Sequence, residues 1–124
     1  MCFMADIIET RTVHHEGVDY FVQLTHDHDT NPETDGDWAS PEDLEWWRRD
    51  DWQYVIVTVT PVIAGAEITT AADVLGSVVY GFLPKATIDM DAICNVHPVP
   101  DMIDVARDNL RKVRPVLVEA LTLF

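Results

Sequence analysis

Apolar and polar positions alternate most regularly from Val18 to Leu24, where Val18, Tyr20, Val22 and Leu24 interleave with Asp19 and Gln23 and only Phe21 breaks the pattern. A period of two places those four side chains on one face, so the segment reads as a strand with one buried side. Thr12 to Glu16 and Gly17 precede it and predict a hairpin. From Trp52 to Thr60, "WQYVIVTVT" is aromatic and β-branched throughout, the composition of a central strand covered on both faces. Pro61 and Gly65 punctuate it, and "VLGSVVYGFL" from Val74 to Leu83 predicts a further strand whose glycines mark a bulge or a close backbone approach.

Two segments have helical patterning instead. Ser40 is a good N-cap, Pro41 suits the first helical position and Asp43 stands where a capping box needs its acid, so a short helix should run from Pro41 to about Asp50. Leu44 and Trp47 would dock it on the sheet. Further on, Ile103, Ala106, Leu110, Val113, Leu117, Ala120 and Phe124 step by three and four, which makes one apolar stripe on a longer C-terminal helix. Pro115 lies inside that run and predicts a kink or a break near Arg111. The stripe could pack on the sheet or on a second copy of the chain, which would make a homodimer. The order β-β-α-β-β-α predicts a single α+β domain over residues 1–124, built on a mostly antiparallel sheet of about four strands.

Composition fits that reading and adds a charge asymmetry. The 124 residues are 48% hydrophobic and 24% charged, enough for a real core. No apolar run spans a bilayer and the N-terminus has no basic start followed by an apolar core, so a soluble, unexported protein is expected. Cys2 and Cys94 are too few for a disulfide framework. The net charge is −14, and from Asp27 to Asp51 ten acids stand against Arg48 and Arg49, a net of −8 in 25 residues. Such a surface repels nucleic acid and anionic lipid and attracts cations or basic proteins.

The block opens on "LTHDHDTNPETDGDW", Leu24 to Trp38, whose residue types are those of metal ligands. Thr25, His26 and His28 begin the "THxHxDH" signature of the metallo-β-lactamase fold, but Thr30 and Asn31 stand where aspartate and histidine are needed. A calcium loop starting at Asp27 fits at Asp29 and Asn31 but fails at Pro32, where glycine must turn the chain, and at Trp38, where a bidentate glutamate belongs. For zinc, an extended chain puts His26 and His28 on one face and Asp27 and Asp29 on the other. Only a loop could bring Asp29 round to join the histidines. His14 would lie opposite Asp19 in a tight hairpin, roughly 23 Å along the strand from His26. A solvated acidic loop is the simplest reading, with no cofactor expected and a calcium or zinc site on His26, His28 and Asp29 left open.

Evidence for a reaction is thin. Cys94 and His97 have the spacing of a nucleophile and its base, but spacing is not contact, and Gly76 and Gly81 form no phosphate-binding motif. All four tryptophans, Trp38, Trp46, Trp47 and Trp52, fall among the acids. On a helix, Trp46 lies about 100° from Trp47, so with Trp47 facing the core Trp46 would be partly exposed, as a binding hot spot would be, unless it covers the sheet edge.

The segment "LEWWRRDDWQYVIVTVTP", Leu44 to Pro61, with a strand ending near Gly81, is similar to small uncharacterised proteins of tailed bacteriophages. There a short acidic helix with a tryptophan leads through Asp-x-Trp-x-aromatic-Val into a valine-rich strand; where they often have Leu-Trp-Gly in the later strand, this chain reads "VLGSVV". The resemblance implies a phage gene product acting in the cytoplasm of the host bacterium, and it carries no activity or functional residues. The combined expectation is a non-enzymatic accessory protein that binds a basic host or phage protein through Asp35, Asp37, Glu42, Asp43, Glu45 and Trp46, in a sharper form by mimicking nucleic acid. A small metal-binding module and an enzyme are the alternatives.

Overall fold

The structure, a computed structural model, describes residues 7–35 and 37–122, with side chains described to residue 113. Its element order is β1 (Ile7–His15), β2 (Val18–His26), α1 (Pro32–Asp35), α2 (Pro41–Arg48), β3 (Trp52–Ile63), β4 (Ala66–Glu67), a 3₁₀ turn (Thr69–Ala71), β5 (Asp73–Leu83), β6 (Ala86–Ile88), α3 (Met90–Asn95) and α4 (Val99–Thr122). This is an α+β fold on an antiparallel sheet of order β1-β2-β3-β5-β6, with β4 added to β3. Among the described residues six strands stand where about four were expected. The additional ones, β4 and β6, are two and three residues long, too short to show a period.

The β1–β2 hairpin closes on Glu16 and Gly17, both at positive φ, the two-residue turn whose twist matches its strands. Ala64 and Gly65 repeat that geometry between β3 and β4. His14 pairs with Asp19, in register and through an Nδ1–Oδ1 contact of 2.7 Å. The expected hairpin therefore extends back to Ile7.

One face of the sheet carries the core. Tyr20, Val22 and Leu24 of β2 lie beside Pro61, Val59 and Val57 of β3, and against them pack Met90, Ile93 and Cys94 of α3 with Val99, Met102, Ile103 and Ala106 of α4. Each fully buried side chain of this size stabilises by about 1.5–3 kcal/mol. The opposite face bears Phe21, Gln23 and Thr25 beside Thr60, Thr58 and Ile56, most of them half-buried. Expected cover on both faces of β3 thus exists only at its start, where Trp52 and Tyr54 are buried, and at Thr60 near its end. Val55, Val57 and Val59 share one parity and need only one covering layer.

The C-terminal stripe is helical, and its first members Ile103 and Ala106 are buried on the sheet side. Val99 and Met102 extend it by a turn beyond the expected start. Of the kink or break expected near Arg111, the break does not occur: the helix continues through Arg111 and Pro115 to Thr122. Leu117, Ala120 and Phe124, the positions through which a second copy would dock, lie outside the residues whose side chains are described.

Candidate functional site

The β2 strand ends at His26, paired with Val55 of β3. The next residue, Asp27, turns its carboxylate into the protein and is 7% exposed. It accepts hydrogen bonds from the Ser77 backbone N–H at 2.8 Å, the Thr30 hydroxyl at 3.0 Å and the Asp29 backbone N–H at 3.1 Å. Burial by itself would push the Asp27 carboxyl up, but these donors together outweigh it and hold the carboxyl below its ordinary value. Asp27 is a structural anchor that pins the loop after β2 to β5.

That anchoring leaves the flanking histidines on the other side of the chain. His26 Nδ1 and His28 Nδ1 are 3.0 Å apart, with ring centres at 4.2 Å and planes tilted by 44°. The two histidines meet although the strand ends at His26 and His28 lies in a turn, while the Asp27 carboxylate is taken by Ser77, Thr30 and Asp29. Asp29 does not join them: its backbone N–H is held by Asp27 and its side chain is exposed. Among the described residues, no group of three or more His, Cys, Asp or Glu side chains is placed to hold a metal ion.

Both histidines line an open cavity of about 630 Å³ between the loop, α2 and the start of β3, together with Asn31, Trp47, Arg48, Asp50, Gln53 and Tyr54. Its aromatic wall is Trp47, Trp52 and Tyr54, and Trp38, outside the lining, is linked to it. Trp38 Nε1 donates to the Tyr54 hydroxyl at 2.9 Å, and the Trp52 ring lies 5.4 Å from both Trp38 and Tyr54, edge-on to Tyr54. Trp38, at 50% exposure, is the open tryptophan of the cluster. Trp46 is half-buried with the Arg49 guanidinium 5.1 Å above its ring. Sequence patterning did not single out Trp38, because it lies in an Asp/Gly loop with no period to assign it a face. Tyr54 was legible only as a strand residue.

The acidic residues divide into structural and free groups. Asp43 completes the capping box of α2: its carboxylate accepts from Ser40 N–H and Oγ, each at 2.9 Å, and Ser40 Oγ accepts from Asp43 N–H at 3.1 Å. Asp35 accepts from Asn31 N–H at 3.0 Å and closes the α1 turn. Asp37, Glu42 and Glu45 are exposed. The two arginines of the block are directed elsewhere, Arg48 to Glu33 at 2.6 Å and Arg49 to Asp51 at 2.7 Å. None of the residues of α2 is buried, yet the helix is held in place where Trp52 Nε1 donates to the Asp43 carbonyl at 2.8 Å.

Cys94 and His97 are separated by their environments. Cys94 is buried in the core, and burial pushes its thiol up, away from the thiolate that nucleophilic attack needs. His97 is exposed and faces Asp101 at 3.8 Å. No helix among the described residues is long and apolar enough to cross a membrane. Comparison with family models, curated proteins and solved structures finds no match to this chain.

Proposed function

We propose that the chain is a non-catalytic accessory protein of a tailed bacteriophage that binds a basic surface of a host or phage protein through its acidic helix α2 and the loop before it. The observation that carries this reading is the placement of α2. The helix buries none of its residues and is capped and tethered, so it holds Glu42 and Glu45 outward, with Asp37 on the loop before it. Arg48 and Arg49, the basic residues best placed to neutralise that surface from within, are engaged with Glu33 and Asp51. A fixed array of carboxylates raises the encounter rate with a basic partner and sets its orientation, more than it adds affinity.

The test is affinity capture from bacterial lysate with the native chain and with a variant carrying Asp37→Asn, Glu42→Gln and Glu45→Gln. Asp43 and Asp35 are left intact because both close local turns. A specific protein held by the native chain, released by salt and lost from the variant is the expected result. Equal recovery by both forms, or nothing above background, would refute the role of this face.

A further inference from the structure

The geometry points to a divalent transition-metal site at His26 and His28, with Cu(II) the ion that imidazole donors hold most tightly. This goes beyond the protein-binding role and does not depend on it. Metal–imidazole bonds are about 2.0–2.1 Å long, so two donors bound to one ion from 3.0 Å apart would subtend an angle of about 94° at the metal. That is the angle between neighbouring positions of a square or octahedral site. A tetrahedral ion needs donors about 3.3 Å apart, which a small turn of the exposed His28 ring would supply, so the preference for Cu(II) over Zn(II) rests on their affinity order for imidazole.

Ring orientation rules out an end-to-end contact. A straight N–H···N bond of this length between rings pointing at one another, with each nitrogen about 1.2 Å from its ring centre, would set the centres about 5.4 Å apart. They are 4.2 Å apart, and two nitrogens both aimed at one ion about 2.05 Å away would set them about 4.8 Å apart, so the rings need only a small further turn to bind it.

The pair is also held in place before any ion arrives. His26 is fixed by its pairing with Val55 in the sheet, and the intervening Asp27 is fixed by Ser77, Thr30 and Asp29. Two residues apart on an anchored chain, the rings form a chelate with little freedom to lose. Among the described residues the site has two histidine donors, and the remaining positions of an ion there would face the 630 Å³ cavity that Asn31 and Gln53 also line. A surrounding net charge of −8 over Asp27 to Asp51 concentrates divalent cations near the site.

Titration of the full chain with Cu(II), followed by electron paramagnetic resonance, tests this. The expected result is saturation at one Cu(II) per chain with hyperfine coupling to two imidazole nitrogens, and Zn(II) binding weaker by at least about tenfold. His28→Ala, at an exposed position, should lose the saturable signal with an unchanged circular dichroism spectrum, as should His26→Ala. His14→Ala and His97→Ala should keep it. Asp27→Asn should weaken Cu(II) binding although Asp27 does not touch the ion, because it positions the two rings. Unchanged binding in His28→Ala, loss of the signal in His14→Ala or His97→Ala, or no saturable binding by the native chain would overturn the site.

Discussion

The Asp27 carboxylate and the Ser77 backbone N–H meet at 2.8 Å across fifty residues of chain. Their contact repairs a defect in the sheet. Val55 pairs with Val78 and Val57 with Leu75, so Gly76 and Ser77 both stand opposite Ile56, and Ser77 takes a positive φ of 56°. A bulge of this kind leaves a backbone donor out of the ladder, and a buried unpaired donor is costly. Asp27 accepts it.

Asp27→Ala should therefore destabilise the fold by about 1–3 kcal/mol near pH 7, through the unpaired Ser77 and Asp29 N–H groups. Because the folded-state carboxyl lies below its ordinary value, its contribution is present above the unfolded value of about 3.9 and lost as pH falls through the lower, folded one. Urea unfolding of native and variant chains at neutral and at acid pH measures this. A stability difference that stays constant down to about pH 2 would contradict the linkage.

Tyr20 presents the reverse situation. Its hydroxyl is buried with no hydrogen-bond partner among the described residues, and burial pushes its ionisation up. Tyr20→Phe should leave stability unchanged or raise it by up to about 1 kcal/mol, since it removes a desolvated polar atom and keeps the ring. Thermal unfolding would reveal an unrecognised partner if the variant lost more than about 1 kcal/mol.

At Gly81 the backbone has no room for a side chain. Its φ is 126°, and an added Cβ would press on the Asp51 carbonyl oxygen and lie 2.7 Å from Trp52 Cα. Gly17 also has positive φ, but nothing lies within 4 Å of a Cβ there. Gly17→Ala should cost about 1–2 kcal/mol of backbone strain alone, and Gly81→Ala more than about 2 kcal/mol because the backbone of Asp51 and Trp52 must also move. Unfolding midpoints of the two variants give the order directly, and the reverse order would be inconsistent with this packing.

The capping box separates structural carboxylates from free ones. Ser40→Ala should cost about 1 kcal/mol and speed amide exchange in α2, while Glu42→Gln and Glu45→Gln should stay within about 0.5 kcal/mol of the native chain. Exchange in α2 as slow in Ser40→Ala as in the native chain would mean that the helix is held by Trp52 and its packing without the cap.

Local chemistry made several features readable in advance. Ser40, Pro41 and Asp43 specify a helix start whose hydrogen bonds all lie within four residues, and the helix begins at Pro41 as expected. Alternation in β2 placed Tyr20, Val22 and Leu24 inside because a strand's side-chain period needs no distant information. Likewise, the steps of three and four put Ile103 and Ala106 on the buried side of α4.

What only the tertiary structure decided are the relations that join distant segments. Asp27 looked like a ligand in a row of ligands until Ser77 arrived from β5 to bury it. Trp38 is 50% exposed with its N–H donated to Tyr54, and Trp46, partly exposed as expected, carries the Arg49 guanidinium over its ring. The 3.0 Å approach of the two histidine nitrogens depends on a turn that starts where Asp27 is anchored. Period and capping are set by neighbours within a few residues, so the sequence alone determines them; which polar atoms are satisfied, and by whom, depends on chain brought together by the burial of Val55, Val57 and Val59 beneath α3 and α4.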